Sequence, residues 1–78
     1  MPDVNERLVR CFTAVFPDLA PSEAEHASVE TVAEWDSLAA LTLVAVVEEE
    51  FGIQIDDHDL AELGSFTALR TYIDDRRP

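Results

Sequence analysis

The segment from Leu38 to Val47 constrains the fold most, because Thr42 is its only polar residue. A helix that is apolar on most sides is either buried on most sides or presents apolar surface to a partner. A domain of 78 residues buries only about 60% of the surface of its unfolded chain and cannot enclose such a helix completely. We therefore expect some of Ala39, Thr42 and Val46 to remain exposed.

Signals for both ends of this helix flank the apolar segment. Asp36 and Ser37 stand before it, and their oxygens can accept the unpaired first N–H groups of a helix. Gly52 follows Phe51 and can take the left-handed backbone angles that end a helix. We predict one helix from about Ser37 to Phe51. An anion linked to Ser37 Oγ would lie where free N–H groups and the helix dipole favour negative charge.

The charge of the chain is strongly unbalanced. Seventeen acidic residues stand against five arginines, and the net charge is −12. No Lys or Arg occurs from Cys11 to Leu69. Such a surface repels phosphate backbones and anionic lipid, so we expect neither nucleic acid nor a membrane as partner. It would attract proteins with basic patches. Alternatively, the negative charge attracts no particular partner and only keeps the protein soluble.

The length predicts a single domain over residues 1–78. No apolar run approaches the ~20 residues of a membrane span, and the N-terminus lacks a signal-peptide pattern. We therefore expect a cytoplasmic protein. Met1 favours a free-standing protein over an excised module. Cys11 is the only cysteine, which excludes an internal disulfide.

Asp3 can cap a first helix, which Pro17 stops. The apolar residues of this helix recur at spacings of three and four and form one face. They are Val4, Leu8, Cys11, Phe12, Val15 and Phe16. Cys11 lies on this face, so we expect a buried, unreactive thiol. Residues 17–35 form a long connection in which Ser22 could cap a short helical turn.

An acidic cluster of Asp56, Asp57 and Asp59 opens a short third helix that Gly64 ends. Carboxylates in this number suggest a metal site. An EF-hand loop, however, needs a turn glycine and a bidentate glutamate at fixed offsets, and both are missing. We therefore expect no specific metal site here.

Ser65 can cap the last helix, and Arg76, Arg77 and Pro78 would form a frayed tail beyond it. The residues of this helix that should face inward are Phe66, Leu69, Tyr72 and Ile73. The chain as a whole shows three main helices, a short third helix and a long loop between helices one and two. This pattern predicts an all-α four-helix bundle.

The sequence shows none of the residue combinations that the common kinds of catalytic site need. A nucleophilic serine needs a base and an oxyanion site. His26 and His58 are the only imidazoles, and nothing in the sequence ties either of them to Ser37. With only two glycines the chain also lacks a glycine-rich phosphate loop. We expect a protein that is not an enzyme.

The order of several motifs resembles the acyl carrier protein family. The motifs are Asp36-Ser37-Leu38, the apolar helix after it, Glu48-Glu49-Glu50-Phe51-Gly52, and Ile53-Gln54-Ile55 with the acids that follow. The resemblance implies that Ser37 carries 4′-phosphopantetheine through a phosphodiester, with Asp36 as the acid before it. The thiol of this arm would hold an acyl group as a thioester and deliver it to partner enzymes of fatty-acid-like, polyketide-like or other specialised biosynthesis.

The resemblance also implies which proteins act on the chain. A phosphopantetheinyl transferase would attach the arm from coenzyme A, with Mg²⁺ bridging the phosphates and Asp36. Acyl-loading and acyl-transfer enzymes would dock through basic or apolar patches. The carrier itself would do no chemistry, and we expect it to be a monomer.

Some residues depart from the pattern of fatty-acid carriers. That group has acids soon after the Leu of the motif, where this chain has Ala39, Ala40 and Thr42, and a glycine at the place of Glu34. The Trp35-Asp36-Ser37-Leu38 sequence is more similar to carriers of specialised pathways, such as polyketide-like, aminoacyl and modified-lipid systems. Trp35 would lie either against the arm or over the core.

These departures predict a more apolar partner face than fatty-acid carriers have. We expect it to comprise Leu38, Ala39, Thr42 and Val46, with Glu48 and Glu49 at its edge. Acyl and aminoacyl cargo are both compatible with the sequence. A helical adaptor that binds a basic partner and never carries the arm is the alternative from a different functional class.

Overall fold

The computed structural model describes residues 3–76. Four α-helices and one 3₁₀ helix follow each other in these residues. They are α1 (Val4–Val15), α2 (Pro21–Ala24), α3 (Ser37–Phe51), the 3₁₀ helix (Asp57–Glu62) and α4 (Phe66–Arg76). No strand forms within residues 3–76, where an isolated bridge joins Ser28 and Ser65. The predicted all-α class, with three main helices and a long first loop, is confirmed.

Local signals define the helix starts. The Asp3 side chain accepts the N–H of Glu6 at 2.9 Å and caps α1. Ser65 Oγ accepts the N–H of Ala68 at 3.1 Å and caps α4. The predicted cap of the short turn at Ser22 is wrong, because the N-cap residue of α2 is Ala20, two positions earlier, and no side chain makes a capping hydrogen bond there. Pro21 occupies the first helical position of α2, because its fixed φ suits a helix start and its missing N–H is not needed there.

The C-terminal end of α4 differs from the sequence prediction. Arg76 is the last residue of α4, and its guanidinium lies over the ring of Tyr72, 4.0 Å from the centroid. The same group is 3.6 Å from Asp59 Oδ2. Arg76 is therefore anchored and is not part of a frayed tail. The predicted tail residues Arg77 and Pro78, like Met1, lie outside the described residues.

A cluster of aromatic rings forms the centre of the core. The Phe12 ring is fully buried and lies 5.4 Å from the ring of Trp35 and 5.2 Å from that of Phe66. Trp35 is only 5% exposed and also contacts Phe16 at 5.7 Å between centroids. Of the two positions considered for Trp35, the structure therefore places it in the core. This contact fixes the end of the long connection to α1.

The thiol of Cys11 is buried, as the helix pattern predicts. Burial, with the negative charge of Glu50 as the second cause, raises the pKa of Cys11 to about 11. The thiol therefore stays protonated at neutral pH, and since the thiolate is the nucleophile it is unreactive there.

Arg7 joins α1 to the C-terminal end of α3. Its Nε lies 2.8 Å from Glu50 Oε2, and a second guanidinium nitrogen donates to the carbonyl oxygen of Glu50. The guanidinium also stacks on the ring of Phe51, 4.5 Å from the centroid. A cation at this end offsets the unfavourable placement of acidic residues near the negative end of the helix dipole. Arg7 near the start of α1 meets Glu50 near the end of α3, and Phe16 just after α1 contacts Trp35 just before α3, so the two helices run antiparallel.

We expect Arg7→Gln to lower the free energy of unfolding by about 1 kcal/mol, since exposed ion pairs and cation–π contacts each contribute up to about that amount. Urea unfolding followed by circular dichroism measures the change. Arg10→Gln is the matched control, because Arg10 is exposed on the same helix and should give a change near zero. Equal losses of unfolding free energy in Arg7→Gln and Arg10→Gln would contradict the proposal that Arg7 stabilises the contact between α1 and α3.

No helix within residues 3–76 combines the length and the apolar character that crossing a membrane requires.

Candidate functional site

The N-terminal end of α3 forms as the sequence predicts. Asp36 has extended backbone angles, and its Oδ1 accepts the N–H of Ala39 at 2.9 Å. The Asp36 carbonyl oxygen accepts the N–H of Ala40 at 2.9 Å. Ser37 is the first residue of the helix and is exposed. The two remaining N–H groups of the first turn, on Ser37 and Leu38, have no acceptor within residues 3–76.

The connection before Ser37 is held by the core. The N–H of Trp35 donates to the Val32 carbonyl at 3.0 Å, and the N–H of Asp36 donates to the Glu34 carbonyl at 3.0 Å. The buried Trp35 ring anchors this turn against the rings of Phe12 and Phe16. Ser37 therefore presents an exposed hydroxyl on a fixed backbone. This arrangement suits the attachment point of a group that must itself move.

The chemistry of this end suits an esterified phosphate. Unpaired N–H groups and the positive end of a helix of 15 residues favour an anion at this position. The Asp36 carboxylate uses Oδ1 for the cap, which leaves the rest of its acceptor capacity for a cation or a donor. The residues present thus fit a phosphodiester on Ser37 Oγ, with the remainder of the attached arm in solvent.

Next to this end, α3 presents an apolar face. Leu38 is 74% exposed and Leu41 55% exposed, and Thr42, Ala45 and Glu49 are exposed beside them. Leu41 and Ala45 were not among the partner residues predicted from the sequence. Leu41 and Ala45 follow Leu38 by three and seven residues, which places all three on one side of a helix. This spacing could have predicted that they belong to the same face.

The other predicted partner residues lie at the margins of this face. Ala39 and Val46 are half-buried and pack against the core. Glu48 is half-buried on the opposite margin, and its Oε2 accepts the N–H of Ile55 at 2.8 Å. The structure therefore turns Glu48 toward the link after α3 and leaves Glu49 in solvent.

The acidic cluster at the 3₁₀ helix is tied to α4. The Tyr72 hydroxyl donates to Asp59 Oδ2 at 2.8 Å and accepts the N–H of Asp56 at 3.3 Å. Arg76 pairs with the same Asp59 oxygen. Among the described residues no group of three potential ligands is arranged to hold a metal ion. The visible role of Asp59 is to fix the 3₁₀ helix against α4.

We expect Asp36→Ala to lower the free energy of unfolding by about 1 kcal/mol, because alanine cannot accept the Ala39 N–H. Asp36→Asn is the matched control, since its side-chain oxygen can make the same cap, and its loss should be clearly smaller. Urea unfolding of the two variants measures the difference. A loss in Asp36→Asn as large as that in Asp36→Ala would contradict the capping role.

Comparison with known protein families identifies the chain. The model of a family described as a phosphopantetheine attachment site matches residues 33–73, which is more than half of the chain. The matched segment includes the connection around Trp35, the start of α3 and most of α4. A comparison with curated proteins gave no match. The chain belongs to the phosphopantetheine attachment family and is a non-catalytic carrier domain with 4′-phosphopantetheine as its prosthetic group.

Proposed function

We propose that Ser37 carries the 4′-phosphopantetheine arm, and that the chain delivers acyl or related intermediates, held as thioesters on this arm, to partner enzymes. The observation that supports Ser37 is its difference from Ser65, the other serine in the matched segment. Ser65 is half-buried, and its hydroxyl caps α4. Ser37 is exposed beside unpaired N–H groups.

The whole chain acts as one carrier domain and as a monomer in this proposal. Buried residues of α1, α3 and α4 and of the connection belong to a single hydrophobic cluster, as expected for one folding unit. A flexible arm on a fixed serine gives the cargo reach and a high local concentration at each partner. The carrier supplies the surface that partners recognise.

Incubation with coenzyme A, Mg²⁺ and a broad-specificity phosphopantetheinyl transferase tests the proposal. Intact mass spectrometry should show the gain of one phosphopantetheine per chain. No gain would contradict the proposal and favour the acidic helical adaptor without a prosthetic group.

Asp36 has a second role in the proposed attachment step. Its carboxylate follows the buried Trp35 and directly precedes Ser37, and it would help to hold the Mg²⁺ that bridges the coenzyme A phosphates. Asp36→Asn separates this role from capping, because it keeps the cap oxygen and removes the charge. The rate of loading should fall in Asp36→Asn while the fold stays intact. An unchanged rate would count against the metal-bridging role.

The pathway we propose is a specialised one, of a polyketide-like or modified-lipid type. The exposed face of α3 supports this proposal. It carries Leu38, Leu41, Thr42 and Ala45, and it has no acidic residue before Glu49. Partners would therefore meet a mainly apolar face near Ser37, while the net charge of −12 steers basic proteins toward it. Aminoacyl cargo is the second candidate, since the same face serves either kind of partner.

We expect Leu41→Asp to reduce kcat/KM for loading by the transferase by about tenfold, because an apolar side chain central to an interface can contribute more than about 1 kcal/mol. Leu41 lies about one helical turn after Ser37 and takes no part in the cap of α3, which Asp36 makes. Val29→Asp is the matched control, since Val29 is 48% exposed on the connection. Equal losses of kcat/KM in Leu41→Asp and Val29→Asp would contradict the proposal that Leu41 lies in a docking face.

Charge reversal tests the edge of the same face. Glu49→Lys should lower kcat/KM and weaken its dependence on salt, because an exposed charge mainly affects the rate of encounter. Glu48 is unsuitable for this comparison, because its carboxylate holds the Ile55 N–H. Full activity of Glu49→Lys at low salt would remove Glu49 from the proposed face.

A further inference from the structure

The second half of the connection between α2 and α3 is joined at its beginning to the start of α4. The N–H of Val29 donates to the Gly64 carbonyl oxygen at 2.9 Å, and the N–H of Phe66 donates to the Ala27 carbonyl oxygen at 3.0 Å. Both bonds belong to the isolated antiparallel bridge between the connection and the turn before α4. They fix the chain at residues 27–29.

At its other end this segment is fixed by Trp35, whose buried ring contacts the ring of Phe12. The Phe12 ring also contacts that of Phe66, which follows the bridge. Both ends of the segment are therefore attached to one aromatic cluster. Residues 30–34 lie between these ends and are exposed, with the exception of Val32. The conformation of residues 30–34 sets how the chain enters α3.

The Thr31 hydroxyl closes this stretch into a turn. Its Oγ1 accepts the N–H of Ser28 at 3.0 Å and donates to the Ser28 carbonyl oxygen at 3.3 Å. The same carbonyl oxygen accepts the N–H groups of Thr31 and Val32, at 3.0 and 2.9 Å. Within the part of the chain that the structure describes, residues 30–34 make hydrogen bonds only to residues 28–36. The Thr31 hydroxyl thus connects this exposed stretch to the anchored residue Ser28.

From this turn the backbone leads directly to Ser37. The Val32 carbonyl oxygen accepts the N–H of Trp35, and the Glu34 carbonyl oxygen accepts the N–H of Asp36. The N–H of Ser37 has no acceptor within residues 3–76, as is usual in the first turn of a helix. The orientation of the Ser37 hydroxyl therefore depends on the connection as well as on α3.

We propose that Thr31 is a positioning residue for the loading of Ser37. The inference rests on the proposed attachment at Ser37, and Thr31 acts through the backbone of residues 32–36. A misplacement of reacting groups by about 1 Å can slow a reaction by about 100-fold. A looser connection would therefore lower the share of transferase-bound carrier in which Ser37 Oγ is placed to react.

Thr31→Val tests this role, because valine has the shape of threonine and lacks the hydroxyl. The exposed face of α3 that carries Leu41 is unchanged in this variant, so binding to the transferase should be kept. We expect kcat for loading to fall severalfold while KM for the carrier stays the same. The carrier is the substrate, so its partial unfolding would reduce the concentration of competent substrate and raise the apparent KM without changing kcat.

Thr31→Ser and Thr13→Val are the matched controls. Serine keeps the hydroxyl and should restore most of the kcat. Thr13 lies on α1, where its hydroxyl donates to the Arg10 carbonyl oxygen at 3.2 Å, so Thr13→Val should load like the unmodified chain. The inference would be overturned by a change confined to KM in Thr31→Val, or by a loss of kcat that either control shares in full.

Amide hydrogen exchange checks the structural part of the inference. The Ser28 N–H should exchange severalfold faster in Thr31→Val than in the unmodified chain, while amides in the middle of α3 keep their rates. Unchanged exchange at Ser28, or an unchanged kcat for loading, would overturn the role of Thr31 and leave Ser37 as the attachment site. An unmodified chain that never gains the arm would contradict the proposed function itself, and this inference would fall with it.

Discussion

The Ser37→Ala chain is expected to gain no phosphopantetheine under conditions that load the unmodified chain completely. The reason is chemical, since the arm is joined through a phosphodiester and alanine offers no oxygen for it. The fold should be unaffected, because Ser37 is exposed and the cap of α3 is made by Asp36. Intact mass spectrometry after transferase treatment, together with circular dichroism, measures both outcomes.

Ser65→Ala is the control for this result. It removes the other serine of the matched segment and the cap of α4, so its stability should fall by about 1 kcal/mol. It should nevertheless load fully, provided that it is folded at the assay temperature. Loading of Ser37→Ala, or loss of loading only in Ser65→Ala, would contradict the assignment of Ser37.

Phe12→Ala should have the largest effect on stability, a loss of about 3–5 kcal/mol. The Phe12 ring is fully buried and contacts the rings of Phe16, Trp35 and Phe66. Native domains of this size have only about 0.05–0.15 kcal/mol of stability per residue, so the variant should be partly unfolded at 37 °C. Because Trp35 holds the approach to Ser37, loading should slow as well.

Urea unfolding followed by circular dichroism and Trp35 fluorescence measures this loss. Phe12→Leu is the control, since it keeps most of the apolar volume and should lose clearly less. A loss below about 1 kcal/mol in Phe12→Ala would show that the core is not centred on this ring.

The sequence predicted α3 well because both of its ends depend on local chemistry. Asp36 accepts an N–H within its own turn, and Gly52 takes a φ of 65°, which suits a residue without a Cβ. These interactions join residues only a few positions apart, so the sequence order contains them. The same cap makes Ser37 the first residue of the helix.

Contacts between distant residues could not be predicted in this way. Arg7 and Glu50 are 43 positions apart in the chain, and no local pattern pairs them. The burial of Trp35 depends on how the long connection folds onto α1. The inward turn of Glu48 depends on the path of the link that brings the Ile55 N–H to it. Each of these outcomes follows from tertiary packing, which overrides what a helix pattern alone suggests.

The most direct measurement of the central claim is the location of the prosthetic group on the unmodified chain. After transferase treatment, the protein is fragmented in the mass spectrometer and the fragment that carries phosphopantetheine is sequenced. We predict that the group resides on Ser37 alone. Its presence on Ser65, on Thr42 or on any other side chain would contradict the proposed function of the α3 N-terminus.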